Sequence, residues 1–384
     1  MFMKTENSVV DDDIFQEFCE NRGIKPTTVE VYRGCLQKYV NFTGMTLEEL
    51  LDEADEEEEL GIRLRKRKIK SRLMDFKKHL DTTDLAESTK DYALKLVRSF
   101  YNEYDIQLPK NIRRNKRTDA KQDLLFEDLP TMQDIKHFLE YVKPPYKAIT
   151  LLCVSSGMSR SEITSLTFKH YYDSIQLDPY PETMNELIRK VDEMDNIIPL
   201  WKIKRVKTNK NYFTFCSPEA SDKILAYLKW FQRKFPDYQP KPTDKLFRTK
   251  YNEPLKNFSV SEMYRKANER AGFEPSKNNV SFITPHSLRR VFASTLEINK
   301  MPHLMTRWLM GHTLDSTTSA YFKADPETIK DEYLDIVNKL STNEVEVIKI
   351  SSEGYKEVKS EIEDLKLKQV LYERQIKALS KNKS

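Results

Sequence analysis

Glycine is scarce in this chain, with only 8 glycines among 384 residues, the nearest two of them ten positions apart. Phosphate-binding loops of the P-loop and dinucleotide-binding kinds need glycines much closer together, because backbone N–H groups must approach the phosphate. The sequence therefore argues against both kinds of nucleotide site.

Cysteine and long apolar runs are scarce as well. The four cysteines lie far apart without a Cys-x-x-Cys pair, and no two histidines have the spacing of one helical turn, so we expect no zinc site and no metal. No run approaches eighteen apolar residues, and the first residues lack the pattern of a signal peptide. We expect an intracellular protein with reduced thiols and no membrane partner.

Charge is abundant but nearly balanced. Lysine and arginine number 64 and acidic residues 60, so the net charge is +4 although 32% of the residues are charged. Local clusters of charge can therefore matter more than the total. The length predicts two or three domains.

The first hundred residues have a helical pattern. Between Asp11 and Ile106 the apolar residues recur at three- and four-residue steps, which predicts a helical bundle over residues 11–108 after a tail of residues 1–10. One helix is expected to open at Thr27 or Thr28 and another near Ser88, where a hydroxyl can cap the first turn.

The second half has a mixed pattern. Two strand-like segments, NIIPLWKIKRV and NYFTFCS, flank a short polar turn, and helical segments surround them. We therefore predict a mainly α (α+β) fold, in which residues 131–340 form a mostly helical domain with a small antiparallel sheet. Residues 341–384 are predicted to form a C-terminal helical extension. Its apolar stripe can pack on its own chain or on a neighbouring protomer.

Two segments are strongly basic. The first directly follows the acidic run of residues 52–59, and it can either contact a DNA backbone or pair locally with those acids. Its candidate DNA-binding residues are Arg63, Arg65, Lys66, Arg67 and Lys68. The second is a predicted linker, residues 109–130, which is either a basic clamp on a polyanion or a merely flexible connector. Its candidates are Lys110, Arg113, Arg114, Lys116 and Arg117.

A third segment, FITPHSLRRVF, predicts a helix start that can bind an anion. Thr284 supplies a hydroxyl cap and Pro285 suits the first helical position. His286 and Arg289 are three apart and share a face of the first turns, where the helix dipole favours negative charge. The pair is either a phosphate clamp or an incidental feature of a surface helix.

Further on, a helical segment stops at Gly311, His312 follows at once, and Tyr321 comes nine residues later. A tyrosine is more often a packing residue than a nucleophile. The order of these blocks, however, resembles the tyrosine recombinases of the phage-integrase family. The resemblance extends over the chain up to about residue 340.

This resemblance implies an active site of six residues: Arg160, Lys207, His286, Arg289, His312 and, as nucleophile, Tyr321. The family pattern is Gly-x-Arg-x-x-Glu, and here Gly157 and Glu162 keep its spacing while the arginine lies one position late. The alternative for Arg160 is a surface arginine paired with Glu162. Lys207 lies at the predicted hairpin turn, with Lys210 as the fallback and a further DNA-binding candidate.

The family resemblance also implies the function. We expect a site-specific DNA recombinase of integrase type, acting without metal, ATP or other cofactor through a 3′-phosphotyrosyl intermediate. Its partners would be double-stranded DNA at a specific site and, at the synapse, three further copies of the chain, in the cytoplasm on the nucleoid. The alternatives are a dimer-resolving recombinase, a topoisomerase-like relative, or a DNA-binding module without activity.

Overall fold

The computed structural model describes residues 8–10, 12–109, 128–205, 208–275 and 280–343. The chain divides into two compact units, Met1–Lys121 and Gln122–Ser384. No helix among the described residues is both long and apolar enough to cross a membrane.

The first unit is built from helices around an aromatic core. Its helices are α1 (Asp13–Asn21), α2 (Pro26–Thr43), α3 (Leu47–Glu59), α4 (Lys68–Asp81) and α5 (Glu87–Glu103). Tyr39 of α2 and Tyr101 of α5 are fully buried, and their hydroxyls hydrogen-bond to each other at 3.1 Å. The pair therefore satisfies two polar groups inside an apolar core.

Of the two predicted helix starts in this unit, the one near Ser88 agrees with the structure to one position, and the one at Thr27 or Thr28 was wrong by one or two positions. α2 begins at Pro26, before either threonine, and α5 begins at Glu87 after Ala86, so neither start is capped by the expected hydroxyl. Proline lacks the N–H that a cap would satisfy and its fixed backbone suits the first helical position, so α2 can begin at Pro26.

The second unit is mostly helical and contains a two-stranded sheet, which confirms the predicted fold class. Its helices and strands are α6 (Met132–Glu140), α7 (Pro144–Ser156), α8 (Arg160–Ser165), α9 (Phe168–Ser174), α10 (Met184–Asp192), β1 (Leu200–Lys204), β2 (Asn211–Phe215), α11 (Pro218–Lys234), α12 (Asn257–Arg270), α13 (Pro285–Ile298), α14 (His303–Leu309), α15 (Ser316–Ala324) and α16 (Pro326–Ile336). The predicted C-terminal helical extension lies, beyond Asn343, outside the described residues.

The core of the second unit surrounds α7. This helix is almost entirely buried between α11 and α13. The strands pair antiparallel from Leu200 opposite Phe215 to Lys204 opposite Asn211. Because residues on β1 alternate between buried and exposed, one face of the strand packs on the core and the other faces solvent.

Candidate active site

The first predicted arginine begins a short helix. Ser159 caps α8, and its backbone N–H donates to the Glu162 carboxylate at 2.6 Å. Arg160 is therefore the first helical residue, and its guanidinium donates to the hydroxyl of Ser261 on α12. The alternative pairing of Arg160 with Glu162 is not observed, because the ion-pair partner of Glu162 is Arg289, at 3.8 Å.

The start of α13 is formed as predicted. The Thr284 hydroxyl accepts the Ser287 N–H at 3.0 Å, and Pro285 occupies the first turn. In the first turns of this helix His286 is exposed and Arg289 is buried. A well-capped helix start fixes both side chains relative to the rest of the unit.

Arg289 is a buried cation held mainly by backbone carbonyls. Only 6% of the residue is exposed. One guanidinium nitrogen donates to the Gly157 carbonyl, and the other donates to the Met310 carbonyl at 2.5 Å. Burial lowers the pKa of Arg289, while Tyr212 and Glu162 oppose that shift. The guanidinium is thus fixed in place before any ligand arrives.

These residues line one cleft of about 510 Å³, formed by the starts of α8 and α13 with α12. Arg160, His286 and Arg289 lie on its wall together with several hydroxyl side chains. No carboxylate lines it among the described residues. Two guanidiniums, an imidazole and hydroxyls are donors suited to a phosphate.

His312 lies on a turn that ends α14. Gly311 has φ +61°, and the His312 N–H donates to the Arg307 carbonyl at 2.9 Å. A Cβ on Gly311 would come within 2.7 Å of the Tyr212 ring, so only glycine fits this turn without rearrangement. The Met310 and Gly311 carbonyls both accept hydrogen bonds from Arg205.

Both candidate histidines are shifted toward the neutral form. Desolvation, followed by the positive charges of Arg290 and Arg289, lowers the pKa of His286. Desolvation, followed by Arg289 and Arg205, lowers the pKa of His312 to about 4. At neutral pH His312 is therefore an uncharged imidazole that can donate one hydrogen bond and accept another.

A second cleft, of about 430 Å³, lies beside the His312 turn. Its wall includes Lys210, Tyr212, Gly311 and His312. The face of α15 completes it with Ser316, Ser319, Ala320 and Lys323. Like the first cleft, it is lined by cations and hydroxyls, with no carboxylate from the described part of the chain.

Tyr321 is not among the residues that line either cleft. It is 71% exposed on α15. Because successive helical residues are about 100° apart, Tyr321 lies roughly 140° around the helix from Ser316, which does line the second cleft. The isolated chain therefore brings Arg160, His286 and Arg289 together in one cleft and Lys210 and His312 in another, and it leaves the tyrosine outside both.

The two candidate lysines stand between β1 and β2 in the sequence. Lys207 lies outside the described residues. Asn209 has φ +58°, a conformation that asparagine tolerates in turns. Lys210 is exposed, and its carbonyl accepts the Arg205 N–H at 2.8 Å. The predicted hairpin is therefore present, with Lys210 at the edge of the second cleft.

The basic segment of the first unit combines the two interpretations. Arg67 is buried and donates to the Ile62 carbonyl at 2.9 Å and to Glu58 at 2.8 Å, so its guanidinium is bonded inside the unit. Lys68 pairs with Glu53 at 2.8 Å but is exposed. The remaining candidates here, also exposed, are Arg63, Arg65 and Lys66. Those of the linker, Lys110, Arg113, Arg114, Lys116 and Arg117, lie outside the described residues.

Arg205 and Tyr212 are site residues that the sequence reasoning missed. Trp201 and Ile203 of β1 are buried, and Arg205 continues this alternation two positions further along the chain. The alternation therefore predicts that the Arg205 side chain points inward. Burial raises the pKa of the Tyr212 hydroxyl, and the charge of Glu162 adds to that shift. Nothing local in the sequence indicates that these two side chains meet the Gly311 turn.

Parts of this chain match a protein-family model and two curated proteins. Residues 184–328 match the model of the phage integrase family. Tyrosine recombinase XerC from two strains of Leptospira interrogans, serovars copenhageni and Lai, is 27% identical over 127 residues, which are 33% of this chain. The match spans 37% of the length of these relatives.

One solved structure shares the fold. The crystal structure of the XerH site-specific recombinase bound to difH substrate, a pre-cleavage complex, superposes with a TM-score of 0.50. The two chains are 17% identical, and the match covers 83% of this chain and 82% of that one. At this identity the likeness concerns the fold alone.

Proposed function

Because residues 184–328 match the model of the phage integrase family, the tyrosine recombinases, we propose that this chain belongs to that family and is a site-specific DNA recombinase. In this proposal it breaks and rejoins DNA strands through a covalent 3′-phosphotyrosyl intermediate and serves the integration or excision of a mobile element. The observation that carries the proposal is the pair of clefts that the described residues line with cations, imidazoles and hydroxyls but with no carboxylate.

The clefts suit the charge that develops in strand cleavage. Attack on a DNA phosphodiester builds negative charge on the non-bridging oxygens, and fixed cations aimed at that charge are a large catalytic contribution. Arg289 remains a cation at any working pH and is held in place by two carbonyls. Arg160 lines the same cleft and would supply a second guanidinium.

The proton transfers are assigned to neutral or basic side chains. The Tyr321 hydroxyl attacks phosphorus and its proton passes to His286, whose lowered pKa keeps the imidazole unprotonated at neutral pH. The P–O5′ bond breaks, and Lys207 protonates the leaving oxygen, with Lys210 as the alternative. His312 donates a hydrogen bond to a non-bridging oxygen in its neutral form. The phosphotyrosyl bond keeps the energy of the broken one, so rejoining reverses the same steps.

The tyrosine has to move for this reaction. Tyr321 is exposed on α15, while the opposite face of that helix borders the second cleft. We propose that the Tyr321 hydroxyl reaches the DNA in the clefts only in the assembled complex. The tyrosine then comes from the same protomer or from a neighbour. Four protomers at the synapse and a specific duplex site are part of this proposal. The exposed cations Arg63, Arg65, Lys66 and Lys68, the linker cations and Lys210 would contact the backbone.

A trapped covalent complex tests the proposal. A duplex library with a randomised central segment is first enriched for binding to this chain, and the enriched duplexes are then nicked so that a cleaved strand cannot rejoin. We expect an adduct that survives denaturing electrophoresis with the unaltered chain and with Tyr251→Phe, a matched exposed tyrosine. Tyr321→Phe should bind the same duplex and form no adduct.

The second candidate is a DNA-binding module without the reaction. The displaced position of Arg160 and the outward orientation of Tyr321 favour it. Duplex binding without any adduct from the unaltered chain would establish this candidate and reject the recombinase. If an adduct forms, a two-site plasmid separates excision from dimer resolution by its products, and relaxation of a supercoiled plasmid lacking the site identifies a topoisomerase-like activity.

A further inference from the structure

Arg205 lies next to Lys210 at the base of the hairpin. Its backbone N–H donates to the Lys210 carbonyl at 2.8 Å, and its carbonyl accepts the Asn209 N–H at 2.8 Å. Two backbone hydrogen bonds therefore tie Arg205 to the residues at which β2 begins.

The side chain of the same residue leaves the hairpin and binds the turn before His312. One guanidinium nitrogen donates to the Met310 carbonyl at 2.7 Å and to the Gly311 carbonyl. Carbonyls at the end of a helix have no partner within the helix, so a cation that binds them both satisfies and orients the last turn. More than a hundred residues separate the two elements that Arg205 joins.

Two guanidiniums converge on one carbonyl here. The Met310 carbonyl accepts from Arg205 and from Arg289 at 2.7 and 2.5 Å. Such like charges repel each other, and the buried carboxylate of Glu162, which pairs with Arg289 at 3.8 Å, offsets part of that repulsion.

We propose that Arg205 is a further positioning residue of the active site, which holds the turn presenting His312 in a fixed relation to Lys210. The inference rests on the proposed function and extends it. Because one side chain joins the two elements, the histidine and the lysine would reach a phosphate as one unit.

Titration of His312 without DNA tests this link independently of activity. Arg289, Arg205, Arg307 and Glu162 all act on this imidazole, and Lys210 and Lys323 line the same cleft. With histidine-labelled protein, His312→Asn identifies the NMR signal. Replacing Arg205 by methionine removes a positive neighbour and frees the turn, so the His312 pKa should rise from about 4 toward its ordinary 6.5. Lys202→Met removes an exposed cation of β1 and should leave the His312 pKa unchanged.

Cleavage kinetics provide the second measurement. Because a small misplacement of a catalytic group costs up to about a hundredfold in rate, Arg205→Met should lower kcat by about tenfold or more with little change in KM. Arg205→Lys keeps the positive charge on a side chain of different shape. It should give intermediate values for both the His312 pKa and kcat.

The outcomes separate this inference from the proposed function. If the unaltered chain does not cleave DNA, the proposed function fails and the His312 titration still decides whether Arg205 holds the turn. An unchanged His312 pKa together with unchanged kcat in Arg205→Met overturns the inference. If Arg205→Met does not fold, the test is made with Arg205→Lys. A wild-type His312 pKa together with a wild-type kcat in Arg205→Lys then overturns the inference.

Discussion

Arg289 shows how a single side chain can organise this site. Its charge is buried, and the carbonyls of Gly157 and Met310 receive its hydrogen bonds. Two positions that lie far apart in the chain thereby fix one guanidinium. The nearby residues that its charge affects, His286 and His312, are both shifted toward neutrality.

Replacing Gly157 tests the importance of that anchor. Gly157 has φ +65°, and an added Cβ would come within 2.3 Å of the Phe292 ring. The left-handed backbone and the overpacking together should cost about 3 kcal/mol of unfolding free energy in Gly157→Ala. Gly272→Ala shares the positive φ but has open space around the new Cβ, so it should cost about 1 kcal/mol. Thermal or denaturant unfolding measures both losses. Equal losses of unfolding free energy in Gly157→Ala and Gly272→Ala would contradict this account.

The sequence allowed some residues to be predicted and left others out of reach. His286 and Arg289 are three apart on one helix, so local spacing alone places them near each other. Arg205 and the Gly311 turn meet only through tertiary packing, which no local pattern records. The late position of Arg160 was visible in the sequence, but its hydrogen bond to Ser261 on another helix was not.

At the level of elements, the capped start of α13 has the greatest effect on the site. Thr284 and Ser287 bond to each other's backbone N–H groups, at 3.0 and 2.9 Å. The sequence predicted this start because a hydroxyl and a proline stand in the right order. The start of α2 was predicted wrongly because two threonines directly follow Pro26. Propensity alone does not choose among such neighbouring positions.

Removing this cap should affect function as well as stability. Thr284→Ala loses the hydrogen bond to Ser287 and should cost about 1 kcal/mol of unfolding free energy. Because His286 lies in the first turn, DNA cleavage should also slow. Thr183→Ala removes a comparable cap on α10, whose Thr183 hydroxyl accepts from Glu186 at 3.1 Å, and should lower stability alone. Equal cleavage rates in the two variants would remove the role given to this helix start.

The orientation of α15 could not be predicted from its sequence. Residues of this helix face the second cleft with Ser316 and Ala320, while Tyr321 faces solvent. The helix is anchored by Phe322, whose ring packs against Trp308 with centroids 5.8 Å apart. The packing of that ring on Trp308 of the preceding helix, a tertiary contact, helps to set which way the tyrosine points.

On the scale of the whole molecule, charge is distributed rather than concentrated. The net charge is +4, yet each of the two units carries exposed candidate cations, among them Arg65 in the first and Lys210 in the second. The fold class followed from periodicity because both units are mostly helical. The use of each cation did not follow, because a buried arginine such as Arg67, paired with the half-exposed Glu58, looks the same in the sequence as an exposed charge.

Binding to duplex DNA should therefore depend steeply on salt. Each phosphate contact adds about 0.9 to the slope of log affinity against log salt. Arg65→Gln removes an exposed candidate and should lower that slope by about one. Arg67→Gln removes a buried charge of the same segment and should destabilise its unit while leaving the slope unchanged. A flat salt response of the unaltered chain would contradict the proposed backbone contacts.

The central claim is that Tyr321 becomes bonded to a DNA phosphate held by Arg289 and His312. Mass spectrometry of the digested, trapped adduct measures this directly, because the peptide that carries the nucleotide identifies the residue. We predict the nucleotide on the peptide containing Tyr321 and its disappearance in Arg289→Met. A nucleotide on any other residue, or an undiminished adduct in that variant, would contradict the account.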